Sequence, residues 1–294
     1  MSHLPPQHVV DSALDSQSRP VPYPRPAEGA PNVLMIVLDD VGFAQLGCFG
    51  SGISTPRIDE VAGGGLRYQR FHVTAVCSST RAALLTGRNH HAVGMGVTEE
   101  AALGFPGYTG RIPRSAATMA RLLKDTGYNT MAVGKWHLVP RTKTSAAGPF
   151  DRWPLGVGFE KYYGFLGSET SQWAPELVRD NHHVEAPATP EEGYHVSEDL
   201  LDQAIGMVRT KESLVPERPF FLYLAFGATH APHQAPSTHL AKYRGRFDEG
   251  WDVVRRRWFE RQLALGVIPR HTELSPRNPG VNAWEDLSGT EQRL

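Results

Sequence analysis

Cysteine is almost missing from this chain: 294 residues contain two, Cys48 and Cys77. Two cysteines allow one bridge at most, which excludes a scaffold held together by disulfides. Net charge is lacking as well, since 30 Lys and Arg stand against 31 Asp and Glu for a formal charge of −1. That balance leaves no electrostatic footprint for nucleic acid or for an anionic membrane surface. No apolar run approaches the length that spans a bilayer. The opening MSHLPPQHVVDSALDSQSRPVPYPRP has no basic stretch followed by an apolar core, so it does not read as a secretory signal. These absences predict a cytoplasmic protein with neither nucleic-acid nor membrane partners. No repeat or heptad pattern is present to indicate an oligomer.

Apolar residues are plentiful, at 40% of the chain with 12 Phe, 9 Tyr and 6 Trp, so a sizeable core is expected. Residues 1–30 are polar, rich in Pro and aperiodic, and read as a flexible arm. The run Asn32–Asp40 (NVLMIVLDD) is continuously apolar until its last two residues, as in a strand buried on both faces of a parallel sheet. Residues 219–226 (PFFLYLAF) and 128–133 (YNTMAV) repeat that form. They end at Gly227-Ala-Thr-His230 and at Gly134-Lys135-Trp136-His137. Helical patterns fall between them at Ser79–Gly87, Ser115–Gly127 and Val196–Val208, the first two closed by glycine. Strands alternating with helices predict an α/β fold with a largely parallel (mixed) central sheet flanked by helices. The core domain is expected over residues 31–240, with 241–294 a peripheral element of helices and loops.

In open α/β sheets ligands sit beyond the C-terminal ends of the strands. All three expected strands deliver charged or imidazole side chains at that end. Asp39 and Asp40 place two carboxylates side by side, an arrangement that favours a hard cation such as Ca²⁺, or less readily Mg²⁺. An ordinary acidic loop is the alternative. Cys77 stands just before an expected helix start, where backbone N–H groups and the helix dipole favour an anion. Arg81 follows one turn later, able to hold an anionic group. A lone cysteine is otherwise a small buried hydrophobe. Lys135 and His137 read as solvated loop residues if the strand end has no function, and His230 with His233 as a loop motif or a transition-metal site. The pairs His90-His91 and His182-His183 read as exposed loop histidines. Asp180-Asn181 has the form of a hairpin turn between short strands.

The stretch Cys77-Ser78-Ser79-Thr80-Arg81-Ala-Ala-Leu-Leu-Thr86-Gly87 resembles the signature of type I, formylglycine-dependent sulfatases, in which Cys-x-Pro-Ser-Arg precedes a similar Ala-Ala-Leu-Leu-Thr-Gly. Asn32–Asp40 resembles that family's first strand and metal-binding Asp pair. Thr55–Asp59 with Gly65–Phe71 resembles a further segment, Gly134–Leu138 its Gly-Lys-(Trp/Tyr)-His motif, and Thr229–Pro236 its later histidine segment. The likeness covers roughly residues 32–240 and is strongest to bacterial arylsulfatases, of the alkaline phosphatase superfamily.

The resemblance implies a sulfuric ester hydrolase acting on a small sulfate monoester. Cys77 would be oxidised to formylglycine by a formylglycine-generating or sulfatase-maturing enzyme. Asp39, Asp40 and the modified residue 77 would be ligands of Ca²⁺. Arg81 and Lys135 would hold the aldehyde hydrate and the sulfate, His137 would accept the hydrate's proton, and His230 would assist the leaving alcohol. Formylglycine-dependent phosphodiesterases and phosphonate monoester hydrolases are the alternative activity, and an inactive fragment is another. Two departures stand out: Ser79 occupies the place of the signature's proline, and no Asp-Asn pair follows residue 240. The missing pair implies that the chain is the N-terminal part of a longer protein, truncated at Leu294.

Overall fold

The computed structural model describes residues 23–293; most of the expected N-terminal arm, residues 1–22, lies outside them. The described part of the arm runs past the turn at Gly127, where the backbone of Pro24 and Pro26 lies against a glycine with no side chain in the way.

Six strands form one sheet in the order β1-β6-β2-β3-β4-β5. They are β1 (Val33–Val37), β2 (Asn129–Lys135), β3 (Lys161–Phe165), β4 (Leu177–Arg179), β5 (His182–Val184) and β6 (Phe220–Ala225). The first four in spatial order run parallel, and β4 and β5 are antiparallel, so the sheet is mixed. The antiparallel pair is the hairpin expected around Asp180-Asn181, with Asp180 at φ 55° in its turn. Side chains of β2 and β6 are buried almost throughout, as the apolar residues 131–133 and 220–225 require.

Helices α2 (Cys77–Thr86) and α3 (Met119–Asp125) lie on the face where Ala82, Leu85, Trp136, Phe159 and Tyr223 pack together. The longer α4 (Val196–Leu214) covers the opposite face across β2, β3 and β6, closing a second core around Met131, Tyr163, Leu200 and Leu222. It continues six residues past the expected end at Val208. α3 is shorter than its pattern: Thr118 caps it by accepting the Arg121 N–H, leaving Ser115–Ala117 outside.

The first strand departs from expectation. β1 is an edge strand, beyond the reach of α4, and Leu34 and Ile36 on that side are 53% and 56% exposed. Its continuous apolarity therefore does not mean burial on both faces. Two further helices are α1 (Pro56–Gly64) and α5 (Ser237–Ala241). Beyond residue 241, α6 (Gly250–Ala264) docks on the loop after β1 through a Gln262 Nε2 bond to the Phe49 carbonyl, 3.1 Å.

One glycine fixes how closely the central strands meet. A Cβ on Gly134, at φ 103°, would lie 1.8 Å from the Ala225 carbonyl oxygen. Only glycine lets β2 and β6 approach there, immediately before Lys135.

Candidate functional site

The C-terminal ends of β1, β6 and β2 lie side by side, and the residues that follow them meet the start of α2. The helix begins two residues earlier than its sequence pattern implies. Val76 is extended, Cys77 is the first helical residue, and the Thr80 N–H closes the first turn on the Val76 carbonyl at 3.0 Å. Thr80 Oγ1 also accepts the Thr74 N–H at 3.1 Å, which fixes the chain's entry into the helix. Cys77 thus sits at the positive end of α2, half-buried and free of any disulfide. Ser79 is buried, and its hydroxyl donates to the Met95 carbonyl at 2.5 Å, a bond that proline cannot make.

Arg81 points inward from the next turn. Its guanidinium donates to the Lys135 carbonyl at 3.0 Å and to the Tyr223 hydroxyl at 3.1 Å, and lies 3.3 Å from Asp39 Oδ1. The Lys135 ammonium binds the other oxygen, Asp39 Oδ2. All three groups are buried, so one carboxylate is clamped between two cations. Burial alone pushes the Arg81 pKa down, but Tyr223 and Asp39 outweigh it and leave the guanidinium above its ordinary value. Arg81 Nε and Ser78 Oγ are buried beside Cys77 with no protein partner.

His137 completes this cluster. It is buried with backbone φ 51°, a left-handed conformation that turns the chain off the end of β2. Its Nδ1 stands 3.1 Å from Cys77 Sγ, and its Nε2 lies 3.2 and 3.4 Å from the two oxygens of Glu100. Burial and then the neighbouring Lys135 charge push its pKa down to about 4, so the ring is neutral near pH 7.

His230 is placed more loosely. Its Nε2 is 3.8 Å from Asp40 Oδ2 and its Nδ1 is 3.7 Å from Glu169 Oε2. Asp40, at φ 56°, is mostly exposed, unlike its neighbour Asp39. The structure thus brings together Asp39, Cys77, Arg81, Lys135 and His137, and links His230 to them through Asp40. His91 and His183 engage Tyr108 and the Thr144 carbonyl instead.

For a divalent cation, the hard oxygens of Asp39 and Asp40 are donors of the right kind at the right strand end. They are too few on their own: among the described residues no three His, Cys, Asp or Glu side chains are grouped to hold an ion.

Tyr223, Glu100 and Glu169 were not singled out from sequence. Tyr223 is hidden inside an apolar strand, and only its polar handle among buried neighbours marks it. Glu100 lies in the segment 94–110 and Glu169 in the segment 153–173, both rich in Gly and aromatic residues. A cavity of about 380 Å³ opens beside His137, with Glu99, Glu100, Arg141, Phe165 and Glu169 in its wall.

The Sulfatase family model matches residues 31–282. An uncharacterized sulfatase of Schizosaccharomyces pombe is 33% identical over 289 residues, covering 90% of this chain and 50% of that protein. An arylsulfatase of Klebsiella aerogenes is 32% identical over 279 residues, covering 90% of this chain and 56% of its own length. The chain therefore spans about half the length of the curated relatives it matches. Among solved structures, Ps i-CgsB in complex with k-i-k-neocarrahexaose superposes with a TM-score of 0.62 at 28% identity, over 81% of this chain and 53% of that one.

Proposed function

The chain belongs to the sulfatase family, and from that premise we propose that it hydrolyses sulfate monoesters with a formylglycine made from Cys77. The observation that carries this reading is the clustering of Cys77, His137, Arg81 and Lys135 at the strand ends, with Asp39 buried among them. When present, the aldehyde hydrate supplies an oxygen nucleophile for sulfur and a second hydroxyl whose proton must later be removed. Asp39 and Asp40 would be the residues here that hold a Ca²⁺ ion, which when bound would supply positive charge for the sulfate oxygens.

The chain's own residues have separable tasks. His137 presents Nδ1 to the side chain at position 77 and accepts its proton. Arg81 and Lys135 concentrate positive charge where water is excluded, so charge developing on sulfate is stabilised more than it would be in solvent. The free Arg81 Nε is a donor available to an anion bound at that helix start. His230, between Asp40 and Glu169, is placed to carry a proton to the leaving alcohol. The cavity beside His137 receives the alcohol.

The test is release of inorganic sulfate from para-nitrophenyl sulfate by protein made together with a formylglycine-generating enzyme, the maturation partner this reading requires. The Cys77→Ala variant serves as control. Sulfate release that depends on Cys77 supports the reading. Preference for bis(para-nitrophenyl) phosphate points to the phosphodiesterase activity instead, and hydrolysis of neither ester contradicts both.

A further inference from the structure

We infer that Glu100 is the positioning residue for His137: it accepts the Nε2 proton and so leaves Nδ1 as the bare nitrogen facing residue 77. This rests on the reading of His137 as proton acceptor. The geometry is a chain of two contacts through one ring, Cys77 Sγ to Nδ1 at 3.1 Å and Nε2 to Glu100 Oε1 at 3.2 Å.

A neutral imidazole has one N–H, on either nitrogen, and the nitrogen lacking it is the only one that can take a proton. An ionised carboxylate only accepts. With Glu100 against Nε2, the proton must sit on Nε2 for the contact to be a hydrogen bond, and Nδ1 is then free to act. Without Glu100 the only other hydrogen-bond partner described for the ring is the side chain at position 77, which can donate to Nδ1 or accept from it and so does not fix the tautomer by itself. A ring with its proton on Nδ1 would offer residue 77 a donor where the reaction needs an acceptor.

Glu100 is itself held in place. It belongs to the short turn Glu99–Ala101, whose neighbour Glu99 accepts the backbone N–H of Arg141, three residues beyond Leu138 on the segment leaving β2. The turn also packs on Gly110, where a Cβ would come within 2.9 Å of the Glu99 Cα. The loop that carries Glu100 is thereby tied to the stretch that carries His137. Glu100 is 37% exposed at its side chain, so replacing it opens no hole in the core.

The test uses Glu100→Gln and Glu100→Ala in the full chain, with two readouts. The first is the tautomer of the His137 ring by ¹⁵N-resolved NMR, its signal assigned by loss in His137→Asn. The proton is expected on Nε2 in the wild type and in Glu100→Gln, whose amide oxygen still accepts, and redistributed toward Nδ1 in Glu100→Ala. The second is turnover of para-nitrophenyl sulfate: kcat of Glu100→Ala is expected to fall about 10–100-fold, as when an outer partner of a functional histidine is removed, with KM unchanged and Glu100→Gln largely restored. A wild-type proton on Nδ1, or an unaltered tautomer in Glu100→Ala, overturns the inference. A change in KM alone also overturns it and makes Glu100 a substrate contact. If the wild type hydrolyses no sulfate ester, the functional reading fails, while the tautomer still decides whether Glu100 orients the ring.

Discussion

Cys77 and His137 are 60 residues apart in sequence, yet the thiol and Nδ1 of the ring are 3.1 Å apart. The contact joins the first residue of α2 to the second residue beyond β2, and both neighbours of the ring, Glu100 and Cys77, come from the 77–100 stretch. If His137 accepts a proton from position 77, His137→Asn lowers kcat for para-nitrophenyl sulfate by about 10²–10⁴-fold, the usual weight of a positioned acid or base. KM stays nearly constant, because the ring is not needed to hold the ester. Steady-state kinetics of the variant check this.

Asp39 is the shared counter-charge of Arg81 and Lys135, and none of the three reaches solvent. Asp39→Asn leaves two buried cations with no anion. Breaking a buried ion pair by removing one partner costs about 3–5 kcal/mol, and the midpoint of urea unfolding is expected to fall accordingly. A loss below about 1 kcal/mol, the scale of an exposed pair, contradicts the clamp.

The buried His137 ring gives stability a pH dependence of definite sign. Its pKa is about 4 in the fold against an ordinary 6.5, so between those values the unfolded chain binds a proton that the native ring does not. Stability therefore rises with pH across that window: the contribution is complete above about 6.5 and is lost as pH falls toward 4. The size is at most about 3 kcal/mol. Urea unfolding near pH 7 and near pH 4.5 is expected to show a steeper loss in the wild type than in His137→Gln, and equal losses would assign the effect to other groups.

Ser79 stands where the sulfatase signature has proline, and the structure shows what the serine does there. It is the third residue of α2, in the first turn, where a backbone N–H has no helical partner to lose. Ser79→Pro is therefore compatible with the helix and forfeits only the hydroxyl bond to Met95, worth about 1 kcal/mol. The expected outcome is a small drop in melting temperature together with a larger aldehyde fraction at position 77 when the maturing enzyme is supplied. An unchanged aldehyde fraction would show that the proline is not what that enzyme reads.

The cores of β2 and β6 were legible in the sequence because a strand buried on both faces is rich in apolar side chains, as residues 220–225 are throughout and 131–133 are in the middle of β2. The same logic misread β1, where Leu34 and Ile36 are apolar but exposed; apolarity records what a face can pack against, and only the arrangement of layers tells whether anything is there. Cys77, Arg81, Lys135 and His137 were legible as strand-end and helix-start chemistry and by their resemblance to a signature. Glu100 and Tyr223 were not, since each acts through a contact with a residue far away in sequence, and a lone glutamate in a loop or a tyrosine in an apolar strand has no local mark of that partner.

The most direct measurement is the mass of the tryptic peptide Phe71–Arg81 from protein produced with a formylglycine-generating enzyme. An aldehyde at position 77 is the expected result, on the residue whose thiol lies 3.1 Å from the His137 ring that is to accept the proton. An intact thiol under the same conditions contradicts hydrolysis through formylglycine.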